Sequence, residues 1–314
     1  VAAAPATSCR ITQPEPNLAT CPSLTCDLLP APWRRRAVCS SSAARASIGR
    51  RVVRASLARG HPTFVLMRPE IGLDIDKLQM LLSFKAQGAR LLEASLDDHA
   101  GLVAAVKQQN KLVEAIKEAG NVKRFIPSEF GTDPSRMGHA LAPGRVTFDE
   151  KMELRTAIEE ANIPHTYISA NCFAAYFCPN LCQLGTLLPP KEKVRIYGDG
   201  NVKVIFVDED DVATYTIKYI DDPRTLNMTI YLRPKDNILT QNEVIAKWEM
   251  LSGKVLEKNH IPADDFLASM KGSYNNFCFG LTAMFSNDGS PVAKPRFCVL
   301  HMVPKWNSHF ITPC

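Results

Sequence analysis

The chain has 314 residues, 46% hydrophobic and 22% charged, ordinary globular usage with room for one large or two modest domains. No apolar run approaches the ~18 residues of a membrane-spanning helix, and the 22 prolines and 16 glycines follow no collagen-like period. The net charge of +5 sits at the ends: residues 1–47 carry five arginines against two acids, residues 272–314 carry three bases against one acid, and residues 48–271 balance at 29 of each. So neutral a body offers no basic face to a nucleic acid.

Cysteines are as uneven. Cys9, Cys21, Cys26 and Cys39 lie in the first segment, Cys278, Cys298 and Cys314 in the last, and only Cys172, Cys178 and Cys182 between, with no C-x-x-C pairing among those three. Reduced core thiols are expected there, rather than a disulfide framework or a metal site. Residues 1–47 read as a disordered or out-of-frame leader. A truncated organelle transit peptide is the weaker alternative, since Pro30 and Pro32 interrupt the segment and no amphipathic Arg stripe develops.

Regular patterning begins at Ile48 and alternates as βα units do. Residues 49–59 predict a helix closed by Gly60, Thr63–Met67 a strand buried on both faces, Asp74–Gln87 a helix stopped by Gly88, and Ala89–Ala94 a strand. A helix over 98–119 and a strand Val122–Ile126 follow, then a helix opening at Thr147 with Thr147 and Glu150 as a capping box. Beyond Pro164 come a strand His165–Ala170, the aromatic stretch Phe173–Phe177, the run Val202–Val207 and a helix 209–220. The acidic cluster Asp208–Asp211 suits that helix's N-terminus better than it suits a metal. After Lys271 the periodicity dissolves. The expected fold is α/β, a doubly wound parallel Rossmann-type sheet over 48–170 with a smaller substrate-binding region over 171–271, both incomplete, and a divergent tail over 272–314.

Three basic residues stand where such a sheet does chemistry. Arg68 directly follows the second strand, where an Arg accommodates the 2′-phosphate of NADP, and Lys77 on the next helix adds a second cation. Lys151 lies on the first turns of a helix that follows a strand, so it can project over the strands' carboxyl ends. A poorly hydrated lysine, or one beside another cation such as Arg155 four residues on, drops toward the pKa of a general base. Tyr231 and Lys235 share the Tyr-x-x-x-Lys spacing of short-chain dehydrogenases, but Pro234 forbids the helix that this spacing needs.

The stretches Arg124-Phe-Ile-Pro-Ser-Glu-Phe-Gly131, Arg145-Val-Thr-Phe-Asp-Glu-Lys-Met152, Asn171-Cys-Phe-Ala-Ala-Tyr-Phe177 and Ile196-Tyr-Gly-Asp-Gly-Asn-Val-Lys203 resemble the plant isoflavone reductase-like enzymes, atypical NmrA-like short-chain dehydrogenases. Met137-Gly-His-Ala-Leu-Ala-Pro-Gly-Arg145 is most similar to the pinoresinol–lariciresinol reductase branch. The resemblance covers residues 48–271. It implies an NADPH-dependent oxidoreductase with Lys151 as catalytic base. Gly49, Arg68, Lys77, Pro127, Ser128, Arg155, Asn171 and Phe173 would lie on the cofactor, and Met137, Phe173 and Tyr176 on the substrate. It also implies no metal and a small phenolic lignan as partner; the neutral body and the lack of an apolar run argue against nucleic acid and membrane and for the cytosol, and a homodimer stays open. Other aromatic-substrate reductases of the family, a non-catalytic NADP(H)-binding protein of the same fold and an inactive remnant are the alternatives.

Three departures from the family pattern stand out. Its Gly-Gly-Thr-Gly-Tyr-Ile-Gly loop, whose glycines let the backbone approach a pyrophosphate, is here Ala43-Ala-Arg-Ala-Ser-Ile-Gly49. Reading GTC GTC GGC GGC ACG GGC one base late turns Val-Val-Gly-Gly-Thr-Gly into Ser-Ser-Ala-Ala-Arg-Ala, the sequence of residues 41–46, so an out-of-frame leader is the expectation. Between Gln108 and Asn110 the family carries roughly twenty more residues, including a central strand whose loss leaves backbone groups to be paired elsewhere. The tail lacks the family's last substrate-domain helices and reads as read-through sequence.

Overall fold

The computed structural model describes residues 38–40, 47–67, 74–93, 112–138, 140, 145–186 and 188–270. Arg68, the Ala43–Ala46 loop, residues 108–110 and the tail after Met270 lie outside the described residues.

The first unit is a parallel sheet in the order β1 (Val38–Ser40), β2 (Thr63–Met67), β3 (Arg90–Glu93). Helix α1 (Ser47–Ala58) connects β1 to β2, and α2 (Ile75–Ala86) connects β2 to β3. The expected boundaries hold within two residues, because Asp74 caps α2 by accepting from Lys77 N and Gly60 and Gly88 take the left-handed φ that ends a helix. Val53, Val65, Leu81, Phe84 and Ala89 form the core between helices and sheet.

Residues 112–119 (α3) are helical. The strand expected at Val122–Ile126 is reduced to single contacts: Phe125 bridges His165 and Gly131 bridges Ser169, both parallel. Helix α4 (Arg145–Glu160) begins two residues before the expected start, since Arg145 pairs with Asp149 one turn on and donates to Gly138 O, which holds the extra turn. Strand β4 (Thr166–Ser169) runs parallel to β8 (Met228–Tyr231). Between them in sequence lie β5 (Cys172–Phe173), α5 (Ala174–Phe177), β6 (Lys193–Tyr197), β7 (Val204–Val207) and α6 (Glu209–Ile220). The chain closes with β9 (Ile238–Leu239), α7 (Gln241–Ser252), β10 (Glu257–Ile261) and α8 (Ala263–Met270). β5 and β9 flank β7, and β10 pairs with β6.

Helix α6 matches its expected bounds, with Asp208 accepting from Asp210 N and Asp211 N, so the acidic cluster is a helix cap. Arg124 finishes the other end by donating to Tyr219 O and Asp222 O. A core cluster of Ile48, Ile168, Ala170, Ile205, Val207, Val212 and Leu232 welds α1, β4, β7 and α6 together. A second gathers Phe177, Leu181, Ile196, Phe206, Ile245 and Phe266. Cys172, Cys178 and Cys182 are free thiols, and burial pushes Cys172 and Cys178 up to about 12, which keeps them unreactive at neutral pH.

Candidate active site around Lys151

Helix α4 buries Phe148, Leu154, Arg155 and Ile158, a three-to-four-residue stripe that turns the Lys151 face inward. Lys151 is half-buried, its Nζ donates to Glu129 O at 3.3 Å, and it lies 6.0 Å from the Phe148 ring centroid. Burial pushes its amine below the ordinary lysine value; Arg155 pushes the same way and Glu129 opposes. This is the environment that the sequence predicts for a base.

The loop facing Lys151 is held by strand ends. Gly131 O accepts from Asn171 N at 3.0 Å and from Ser169 Oγ at 3.2 Å, and a Cβ on Gly131 would sit 3.9 Å from Lys151 Nζ. Asn171 adopts φ 54°, a left-handed conformation that asparagine tolerates, and donates through Nδ2 to Leu232 O at 2.7 Å. Phe173 packs in the same core cluster as Ile126, Phe130 and Ile48, which brings the first turn of α1, with Gly49, alongside the loop. Pro127 is buried and Ser128 exposed at the loop's start, and Tyr176, 41% exposed, meets Phe177 edge-on at 5.1 Å. Lys151 and Asn171 therefore both meet the 127–131 loop, and Phe173 shares a core cluster with Phe130 of that loop.

Lys77 belongs to a different place. It pairs with Asp74 and, with Arg50, Arg54, Asp76, Met80, Ser83 and Phe84, lines a cleft of about 250 Å³ between α1 and α2. Arg50 and Arg54 were not singled out in the sequence, where two arginines on a helix look like ordinary surface charge. Their cleft runs along the middle of both helices, from Arg50 and Asp76 to Arg54 and Phe84.

Two residues expected on ligands are engaged within the protein. The Arg155 guanidinium, 7% exposed, is not open to a cofactor: Nε and Nη2 donate to the Glu129 carboxylate at 2.9 and 2.5 Å, and Nη1 to Asp133 Oδ1 at 3.0 Å. Met137, 3% exposed, is not a ligand-facing side chain but packs with Ala140 and Phe148. Tyr231 shares no helix with Lys235, as expected, yet it has a function in the site: its hydroxyl donates to Asp133 from the end of β8. Glu129 and Asp133 carry no sign of this in the sequence because their partners lie 22 to 98 residues away. The only signal was the presence of acids in an otherwise apolar loop.

The NmrA-like family model matches residues 43–110 and 104–290. The chain belongs to this family. An isoflavone reductase homolog of Lupinus albus is 66% identical over 245 residues, covering 72% of this chain and 78% of that protein. A bifunctional pinoresinol-lariciresinol reductase of Linum perenne is 63% identical over 246 residues, covering 72% and 78%. Among solved structures, AtPrR2 with NADP+ and (+)pinoresinol superposes with a TM-score of 0.72 at 55% identity, covering 78% of this chain and 84% of that one. The fold class is thus the α/β one expected of the NmrA-like family. Since 72% of 314 residues is about 226, roughly nineteen of the 245 positions aligned with the Lupinus protein have no counterpart here. The two family-model matches overlap at 104–110, around the Gln108–Asn110 position where residues are expected to be missing.

Proposed function

We propose that this chain is an NADPH-dependent reductase that opens the benzylic ethers of furofuran and furan lignans, taking pinoresinol to lariciresinol and then to secoisolariciresinol. The observation that carries the reading is the half-buried Lys151, its proton affinity lowered by burial and Arg155, held against the loop that Asn171 also anchors. The names of the relatives and the AtPrR2 complex support the choice of substrate and cofactor.

Lys151 accepts the phenolic proton of the substrate. The phenolate's electrons then expel the para benzylic oxygen, giving a quinone methide, and that oxygen takes up a proton from solvent water to become an alcohol. NADPH, when bound, supplies the hydride that reduces the benzylic carbon. The phenolate so regenerated takes back the proton held on Lys151 Nζ. The cationic cleft of Arg50, Arg54 and Lys77 between α1 and α2 supports this reading at the cofactor's phosphate end. Arg68 is assigned to the same 2′-phosphate on the sequence argument, and Pro127, Ser128, Asn171 and Phe173 would line the nicotinamide side.

Replacement of Lys151 tests the reading. Lys151→Ala is expected to lose about 10²–10⁴-fold in turnover of pinoresinol, the usual contribution of a general base, with NADPH affinity retained. Turnover that survives the substitution would remove the base role. Unimpaired NADPH binding without turnover of any lignan, phenylcoumaran or isoflavone by the unaltered chain would favour a non-catalytic protein.

A further inference from the structure

Beneath Lys151 lies a closed group of charges. Glu129, Asp133 and Arg155 are 2%, 3% and 6% exposed, and each is bonded to another member. Tyr231 donates to Asp133, and Arg136, 43% exposed, stands 3.7 Å from Asp133 and 5.1 Å from the Tyr231 ring centroid. Arg155 also stacks 4.3 Å from the Tyr167 ring centroid. The charged groups acting on Lys151 are Glu129, from the facing loop, and Arg155, from its own helix. Arg136 balances the charge of Asp133, which leaves the buried Glu129–Arg155 pair as the charges that face Lys151. The Glu129 backbone carbonyl meanwhile fixes the Lys151 nitrogen, so charge and position come from one loop.

We propose that Glu129 and Arg155 are positioning residues that set the proton affinity of Lys151 from opposite sides, with Asp133 clamping Arg155 in that role. The proposal rests on the reading of Lys151 as proton acceptor. Glu129 holds the proton on Lys151; Arg155 drives it off. Because the two are paired with each other, removal of one also exposes the other's full effect.

The test uses the full 314-residue chain. Acetylation of Lys151 by acetic anhydride, followed by peptide mass spectrometry across pH, reads the free-amine fraction without requiring turnover. The pH profile of kcat/KM with pinoresinol is recorded beside it. Below the midpoint, Glu129→Gln is expected to label Lys151 roughly threefold faster than the unaltered chain and Arg155→Gln roughly threefold slower, the change that half a pH unit makes in the amine fraction. The acid limb of kcat/KM should move down for the first and up for the second, while Arg155→Lys, which keeps the charge, restores the original midpoint.

Midpoints that stay put, or that move in the same direction, overturn the proposal. If Arg155→Gln does not fold by circular dichroism, Glu129→Gln decides alone, and a midpoint unmoved or raised rejects the idea. Labelling shifts in a chain without turnover would sink the base role and leave the electrostatic coupling standing. Turnover with unshifted labelling would do the reverse.

Discussion

At Gly200, in the turn between β6 and β7, the backbone takes φ 71°, and an added Cβ would lie 2.5 Å from Ile196 Cγ2 and 2.7 Å from Asn242 Oδ1. Both conditions require glycine: the left-handed φ disfavours a side chain, and the space is filled. Gly200 O also accepts from Asn242 N, so the turn anchors the start of α7. Gly200→Ala is expected to cost about 1–3 kcal/mol, measured as a lower urea midpoint; an unchanged midpoint would mean that the turn relaxes freely. Asn171 meets a similar demand by another means, since asparagine tolerates φ > 0 and its amide ties the backbone to Leu232. The motif around it was legible from sequence. That Asn171 is anchored to Leu232, 61 residues away, was not, because only the pairing of β4 with β8 makes them adjacent.

Elements are stabilised here chiefly at their ends. Thr240 and Glu243 form a reciprocal capping box on α7, Thr240 Oγ1 accepting from Glu243 N at 3.1 Å and Glu243 Oε2 from Thr240 N at 2.7 Å. Thr240→Ala is therefore expected to lower stability by about 1 kcal/mol, and Thr240→Ser to recover most of it, as read from thermal unfolding. Equal melting temperatures for the two variants would show that the cap contributes little. Helices α1 and α6 run alongside each other, with Arg51 on Asp210 at 2.9 Å and His61 on Asp221 at 3.4 Å. The Arg51 pair is exposed on the Asp210 side and adds little; Ile48 and Val212, in their shared core, hold the helices together. Most boundaries could be read from caps and stop glycines. The start of α4 could not, because its extra turn depends on Arg145 reaching back to Gly138.

For the molecule as a whole, the decisive feature is how the parallel strands are joined. Among the described residues β1–β3 form one ladder and β4–β8 another, with only the bridges at Phe125 and Gly131 beside β4. A central strand would occupy the region between, and the two family-model matches overlap at 104–110, where its sequence is expected to be missing. Reinstating the roughly twenty absent residues, together with Gly-Gly-Thr-Gly-Tyr-Ile-Gly in place of residues 43–49, is expected to raise NADPH affinity by an order of magnitude or more, measured by titration of cofactor fluorescence. Equal affinity of both chains would show that the nucleotide site is complete as it stands. The prediction follows from the backbone itself: loop glycines admit the pyrophosphate, and a full sheet sets the distance from the α1–α2 cleft to Lys151.

The sequence by itself determined the alternation of strands and helices from β2 to β3, the bounds of α6, the place of Lys151 on an early turn of α4 and the membership of the NmrA-like family. These are properties of local spacing and of contiguous motifs, which do not depend on how distant segments meet. Only the tertiary structure decided what surrounds Lys151. It turned Arg155 from a cofactor contact into the partner of Glu129 and Asp133, withdrew Met137 into a packed cluster, and brought Tyr231 onto Asp133. The reason is physical: a buried charge must find its counter-charge through space, and strand order, not chain order, determines which one it meets.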